Sequence, residues 1–165
     1  MKIIEAMKRV KSNKEKIADL QGKIGQFCAN MSFETPIREW LQSCTDLTQE
    51  NIRLLCAIQK TNIATAVSIT LGEKVVTKSI AEWVWRRREY AALDLKTWSV
   101  LTDRNLKEGT GVNSSGTPVD IKIVRHYDPV KRDRMVAMYK SEAREIDSAL
   151  EVINAVTDLI EEKAA

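Results

Sequence analysis

The sequence is poor in the residues that build catalytic and metal sites. His126 is the only histidine, and histidine is the side chain whose charge changes most readily near neutral pH. Di-iron bundles need Glu-x-x-His on two helices and HExxH zinc sites need two histidines, so the sequence excludes both. It also lacks the G-x-S-x-G, P-loop and G-x-G-x-x-G patterns. We therefore expect a protein that is not an enzyme and that holds no cofactor or metal.

Cysteine, proline and glycine are also scarce. Cys28, Cys44 and Cys56 are odd in number and show no C-x-x-C spacing, which predicts buried free thiols in a reducing compartment. Only three prolines and six glycines occur, so long helices are allowed. No apolar run reaches the roughly 18 residues of a membrane span, and the N-terminal segment turns charged too soon for a signal peptide. The expected location is the cytoplasm, with no membrane partner.

The excess charge is small. The 26 basic and 23 acidic residues leave a formal net charge of +3, which is too little to identify a nucleic-acid binder by electrostatics alone. Hydrophobic residues make up 44% and charged residues 30% of the chain, which is the balance of a folded protein. The length suits one core, so we predict a single helical domain over residues 1–165.

Apolar spacing predicts four long helices. The first carries a seam, a row of residues spaced alternately three and four positions apart. Its members are Ile3, Ala6, Val10, Asn13, Ile17, Leu20, Ile24, Phe27 and Met31. Such a seam is typical of a helix packed against a partner helix, and Asn13 is its polar interruption. The predicted helices cover residues 2–31, 36–59, 80–102 and 129 onward. The first two should be antiparallel, because the connection between them is short.

Capping residues mark three of the helix starts. Thr35 followed by Pro36 matches an N-cap with proline at the first helical position of the second helix. Ser79 with Glu82 three residues later has the form of a capping box. Asp128 followed by Pro129 matches an N-cap with proline at the first helical position. Within the last predicted helix, Ser141 is a competing N-cap that would break it.

Two β-hairpins are predicted in the connections. The first covers residues 66–77, where β-branched and polar residues alternate around Gly72-Glu73, a pair suited to a type II′ turn. The second covers residues 107–127, with its turn near Asn113–Gly116. The sequence leaves open whether the hairpins share one sheet. The expected fold class is mainly α with minor β, an antiparallel bundle of four long helices with short β-hairpins in the connections.

A first candidate binding site precedes the last helix. Arg125, His126 and Tyr127 lie just before its N-terminus, and Arg132 lies on its first turn. One interpretation is structural, a strand end that leads into a capped helix. The other is a small anion or phosphate pocket, because a helix N-terminus favours negative charge.

A second candidate site combines basic and aromatic residues. Arg86, Arg87 and Arg88 stand among tryptophan and tyrosine in residues 83–90. On a helix they are about 100° apart, so they fan around its axis. They either pair within the bundle and at a self-association surface, or bind RNA, DNA or another acidic partner.

Self-association is the primary functional hypothesis. Ile4, Met7 and Cys28 give the first helix extra apolar residues beside its seam. We therefore expect a homo-oligomer, with a dimer favoured, in a non-enzymatic interaction or assembly protein that binds itself or a protein partner. The alternatives are nucleic-acid binding through the arginines, and small-ligand or anion binding near residues 125–128.

Several segments carry a family resemblance. They are residues 1–24, residues 58–110, the run IKIVRHYDP at 121–129 and EVINAVTDLIE at 151–161. In these the chain resembles an uncharacterised bacterial family that often carries the label septicolysin. The resemblance implies a bacterial protein and carries over no catalytic residue. The label implies a cytolysin, but the sequence offers no transmembrane span or strongly amphipathic apolar segment that would support lysis.

Overall fold

The computed structural model describes residues 1–29 and 35–160. Backbone packing divides the chain into two compact units. Unit 1 comprises Met1–Ser68, Thr77–Trp83 and Ser148–Ala165, and unit 2 comprises Ile69–Val76 and Val84–Asp147. The predicted class, mainly helical with two small hairpins, is confirmed. A single domain and a closed bundle of four helices stay predictions.

The elements follow one another along the chain as helices α1 (Ile3–Phe27) and α2 (Ile37–Ala64), strands β1 (Ala66–Leu71) and β2 (Lys74–Ser79), helix α3 (Ile80–Trp85), a π-helical segment (Arg86–Tyr90), helix α4 (Ala91–Ser99), strands β3 (Gly109–Val112) and β4 (Pro118–Ile121), and helix α5 (Pro129–Val156). The described helices include none that is long and apolar enough to cross a bilayer. The predicted end of the first helix, at residue 31, lies outside the described residues. α2 ends beyond the predicted Gln59, because the buried Thr61 continues its apolar spacing.

In unit 1, α1 and α2 form the predicted antiparallel helical hairpin. Asn13 donates a hydrogen bond to Asn51 over 3.1 Å, and the ring centroids of Phe27 and Trp40 lie 6.4 Å apart. Positions on α2 thus rise as positions on α1 fall, which confirms the antiparallel order. The seam is buried over its first half on α1 and half-buried after that: Ile3, Ala6, Val10 and Asn13, then Ile17, Leu20, Ile24 and Phe27.

The two ends of the described chain meet in unit 1. The Lys2 ammonium donates to the carbonyl oxygen of Val156 over 2.8 Å and pairs with Asp158 over 2.8 Å. A cation at this position satisfies the last carbonyls of α5 and complements the helix dipole. The hydrogen bond from Lys2 also holds the pKa of the Asp158 carboxyl below its usual value.

Each β-hairpin forms a two-stranded sheet of its own. Gly72 has φ +60°, the positive value that a type II′ turn needs at its first central residue. In the second hairpin, Gly109 pairs with Ile121 and Val112 with Pro118. The Asn113 N–H closes that turn on the carbonyl of residue 117 over 3.0 Å. The predicted hairpin positions are therefore confirmed.

The prediction of one regular helix from residue 80 to 102 is wrong in two respects. The helix ends at Ser99, and a π-helical segment interrupts it, in which the Ala91 N–H donates to the Arg86 carbonyl five residues earlier. The buried Trp83 and Ala91 are eight residues apart, one more than the seven of a regular seam. The extra residue of the π turn returns both to one side of the helix.

The predicted helix starts are confirmed at Ser79 and Asp128, whereas the start predicted at Pro36 is wrong, because α2 begins at Ile37 with Pro36 as its N-cap. The Glu82 N–H donates to the Ser79 hydroxyl over 3.2 Å, and the Ser79 N–H and hydroxyl each donate to the Glu82 carboxylate over 2.8 Å. The two bonds that its carboxylate accepts lower the pKa of Glu82. Asp128 accepts from the Val130 N–H over 2.9 Å. Helix α5 continues through Ser141, so that residue does not break it.

Candidate functional site

Arg86 has its charge paired within unit 2. Its Nε and Nη2 donate to the two carboxylate oxygens of Glu142 over 2.7 and 3.0 Å, and Nη1 pairs with Asp94 over 2.6 Å. The guanidinium also lies 5.5 Å from the ring centroid of Tyr139. The Glu142 bonds and then the Asp94 bond raise the pKa of Arg86, against the opposing effect of burial. This geometry supports the structural interpretation of Arg86.

The π-helical segment brings Arg86 to Asp94. The two residues are eight apart, which on a regular α-helix would place them about 80° apart around the axis. One extra residue in the turn removes most of that offset. Turns of this kind are rare and are frequent at functional sites, and here the turn allows the ion pair between Arg86 and Asp94.

The other two arginines are more accessible than Arg86. Arg87 is half-buried and pairs with the exposed Asp147. Arg88 is exposed, between Trp85 at 53% and Tyr90 at 51% exposure. Since Trp85 and Tyr90 are five residues apart on a π turn, they lie on one side of the helix. Arg88 with these two rings is the part of the basic run that is presented to solvent.

Arg125 and Tyr127 converge on Asp103. Arg125 donates from Nε and Nη2 to the two carboxylate oxygens over 2.9 and 2.7 Å, and the Tyr127 hydroxyl donates over 2.8 Å. His126 is exposed, and Arg132 pairs with Asp133 over 3.0 Å. The Asp103 carboxylate occupies the Arg125 and Tyr127 donors that an anion pocket would use, whereas the buried Nε of Arg132 makes no hydrogen bond to any described residue. The arrangement favours a strand end leading into a capped helix, while ligand binding at these residues stays a prediction.

Asp103 is the partner that sequence reasoning missed. It lies 22 positions before Arg125, and no local pattern links the two. The Arg125 bonds and then the Tyr127 bond lower its pKa to about 2. In return, the Asp103 carboxylate raises the pKa values of Arg125 and Tyr127.

The ion pair and hydrogen bond at Asp103 should make the free energy of unfolding depend on pH in the acidic range. Folding lowers the pKa of the Asp103 carboxyl from 3.8 to about 2. Its contribution to the free energy of unfolding is therefore fully present above pH 3.8 and is lost as the pH falls through about 2. We expect Asp103→Asn to lower the melting temperature near neutral pH, and the difference from the unmodified protein to vanish near pH 2. Thermal unfolding across this range measures it. Asp120→Asn, on the exposed strand β4, is the matched control, and an equal Asp103→Asn effect at every pH would contradict the prediction.

Helix α2 carries a second apolar stripe, which we call the α2 outer face. Its members, each exposed, are Leu41, Thr45, Thr48, Ile52, Leu55, Gln59 and Ile63. All but the last directly follow a residue of the α2 seam, so the stripe is turned about 100° from that seam around the helix. The seam residues on α2 are Trp40, Cys44, Leu47, Asn51, Leu54 and Ile58. Ile52 is 57% exposed and Ile63 is 68% exposed. An apolar helix stripe left in water indicates a surface for a partner.

The α2 outer face contains no charged side chain among these seven described residues. The hydroxyls of Thr45 and Thr48 donate to carbonyl oxygens of their own helix over 3.1 and 2.8 Å, so neither needs an outside partner. The outer side of α1 differs, because it carries exposed charges such as Lys8, Lys11 and Glu15. The contrast separates the α2 outer face from an ordinary solvated helix surface.

The extra apolar residues predicted on α1 are only partly exposed. Met7 is 50% exposed, Cys28 is exposed and Ile4 is half-buried. Each directly follows a seam residue, as on α2, so they lie on the corresponding side of α1. The α2 outer face itself was missed at the sequence level, although the same shift by one position marks it.

The three cysteines are free, and Cys28 and Cys56 are exposed, so the prediction that they are buried is wrong for these two. Within residues 1–29 and 35–160, no cluster of three His, Cys, Asp or Glu side chains is arranged to hold a metal ion. No protein-family model matches the chain, and no curated protein or solved structure shows significant similarity to it. The resemblance to the septicolysin-labelled family stays a prediction.

Proposed function

We propose that this chain is a non-enzymatic interaction and assembly protein that associates with a second copy of itself. The observation that carries the proposal is the α2 outer face, an uncharged stripe with Leu41, Ile52, Leu55 and Ile63 all more than 40% exposed. Burying such side chains contributes roughly 1.5–3 kcal/mol each. A second chain is the simplest partner, because a self-complementary face closes a twofold dimer.

Self-association through this face would build an antiparallel four-helix bundle from two chains, in contrast to the predicted bundle of four helices within one chain. The seam to α1 and the α2 outer face are about 100° apart around α2, close to the right angle between neighbours in a four-helix bundle. Two α1–α2 hairpins, one from each chain, would therefore form the bundle. The cytoplasm is the proposed location, supported by three free cysteines, which suit a reducing compartment.

A lysine at the centre of the α2 outer face should abolish assembly. We expect Ile52→Lys to weaken the dimer by at least about tenfold, because a charge would have to be desolvated in the contact. Light scattering on a size-exclusion column, over a range of concentrations, measures the change. Circular dichroism reports whether the variant keeps its helices.

Leu106→Lys provides the matched control. Leu106 is 62% exposed, close to the 57% of Ile52, and it lies in the loop before β3. The same chemical change there should leave the dimer intact. An unmodified protein that stays monomeric at every concentration would overturn the proposal.

Single-stranded nucleic-acid binding is the second candidate function. Arg88, Trp85 and Tyr90 are all exposed within one short stretch of helix, and exposed arginine and aromatic side chains suit phosphates and stacked bases. Tryptophan fluorescence titrated with single-stranded RNA and DNA, at low and high salt, tests it. Binding that Arg88→Ala removes and that falls steeply with salt would support this function. No quenching at low salt would remove it.

A further inference from the structure

We infer that the end of the α1–α2 hairpin where α1 begins and α2 ends is a peptide-binding groove, which the chain's own residues 157–160 occupy. We call these four residues the strap. They follow the last turn of α5 and lie across unit 1, with hydrogen bonds to the start of α1 on one side and to α2 on the other. The inference goes beyond the proposed self-association and does not use the α2 outer face.

Backbone hydrogen bonds hold one edge of the strap. The Ile3 N–H donates to the first carbonyl of the strap over 3.1 Å, and the Leu159 N–H donates to the Met1 carbonyl over 2.8 Å. Lys2 and Asp158 face each other between these two bonds as an antiparallel bridge. Bonds between backbones do not depend on side chains, so they would hold any extended segment laid here, as when a strand is added to a sheet edge.

The side chains of the strap define the ligand. Leu159 is only 8% exposed, whereas Ile160 is 46% exposed, so one large aliphatic side chain is enclosed. The residue before it, Asp158, pairs with the Lys2 ammonium over 2.8 Å. From α2, the Thr61 hydroxyl accepts the Ile160 N–H over 2.8 Å. The partner that fits this groove is therefore an extended protein segment in which a carboxylate precedes a large aliphatic residue.

Few interactions hold the strap in place. Of its four side chains only Leu159 is buried, and the Asp158 side chain is 75% exposed in its ion pair. Exposed ion pairs contribute little, and fixing the backbone of a segment has an entropic cost comparable to the gain from its hydrogen bonds. Segments with so few buried contacts open without global unfolding. The strap is thus a displaceable occupant that competes with a partner segment for the groove.

Peptide binding tests the groove, with a fluorescein-labelled peptide of residues 154–160 as the probe. In the unmodified protein the strap competes with the peptide, so only the open fraction of molecules binds it. Leu159→Asp puts a charge at the buried position and should release the strap. We expect this variant to bind the peptide at least about tenfold more tightly than the unmodified protein does, measured by fluorescence anisotropy.

Two further variants control for the chemical change and locate the site. Val152 is 64% exposed on α5, so Val152→Asp should leave the affinity at the level of the unmodified protein. Lys2→Glu, added to Leu159→Asp, should weaken binding, and a peptide carrying Asp158→Lys should restore it. Equal affinity of the unmodified protein and Leu159→Asp, no binding by either, or a charge exchange without effect would each overturn the inference.

Amide hydrogen exchange of the unmodified protein gives a readout that needs no variant, and it decides the question if circular dichroism shows that Leu159→Asp loses its helices. The Leu159 and Ile160 amides, which donate to Met1 and Thr61, should exchange faster than the Val10 amide within α1, because the strap opens locally. Exchange of all three at one rate would mean that the strap opens only on global unfolding, which rejects a displaceable occupant. Both experiments read the same in a monomer and a dimer, so their failure leaves the proposed self-association standing.

Discussion

Replacing Arg86 with alanine is expected to destabilise unit 2 by about 3–5 kcal/mol, because it leaves a buried carboxylate without its partner. Glu142 is only 3% exposed, and Arg86 provides two hydrogen bonds to it. The same variant releases Asp94 across the π-helical segment. Chemical denaturation followed by circular dichroism measures the loss. A midpoint close to that of the unmodified protein would contradict the burial argument.

Arg87→Ala is the matched control for this variant. Arg87 is the next residue and also pairs with a carboxylate, but its partner Asp147 is exposed where Glu142 is buried. Exposed pairs contribute about 1 kcal/mol or less, so the control should lose little.

The double variant Arg86→Met with Glu142→Met tests whether the cost comes from an unpaired charge. Removing both charges should recover most of the stability lost by Arg86→Ala, since apolar replacement of a buried pair is often neutral. If the double variant is as unstable as the single one, the loss comes from packing around Arg86 and not from Glu142.

The structural features that could be predicted from the sequence depend on interactions between residues only a few positions apart in the chain. The α1 seam, the Ser79–Glu82 capping box and the turn at Gly72 each follow from local spacing and residue type. All three are present in the structure. Local patterns are reliable here because the backbone itself holds the interacting residues together.

The features that were missed depend on residues far apart in the chain. Asp103 and Arg125 are 22 positions apart, and Arg86 and Glu142 are 56 positions apart. Sequence reasoning singled out the arginines and had no means to assign their carboxylates. The π-helical segment has a weak local signal, because Trp83 and Ala91 are both apolar and eight apart.

The α2 outer face shows a different limit. Its residues follow the seam by one position, and all are visible in the sequence. Whether such a stripe is covered within the chain depends on tertiary packing, which only the exposed fractions reveal. The predicted second apolar face lay on α1, where Ile4 is half-buried, and the more exposed stripe lies on α2.

Asn13→Leu is expected to destabilise the α1–α2 hairpin by about 1–3 kcal/mol, although it makes the seam more apolar. Asn13 donates to Asn51 over 3.1 Å and to Glu50 over 3.0 Å. Because Asn51 is only 7% exposed, its side-chain oxygen would lose a partner that water cannot replace. Urea unfolding measures the loss, and Gln21→Leu, a polar-to-leucine change at an exposed site on α1, is the control.

Replacing both asparagines with leucine should reverse the sign of the effect. With Asn13→Leu and Asn51→Leu together, no amide is left unpaired and the seam gains apolar area, so we expect stability at or above that of the unmodified protein. The cost should be specificity, because a buried Asn pair fixes register and partner number. Light scattering should then show several oligomers in place of one. A double variant that keeps a single defined species would mean that the register is set elsewhere, with the Arg9–Glu50 ion pair beside this layer as the next residues to change.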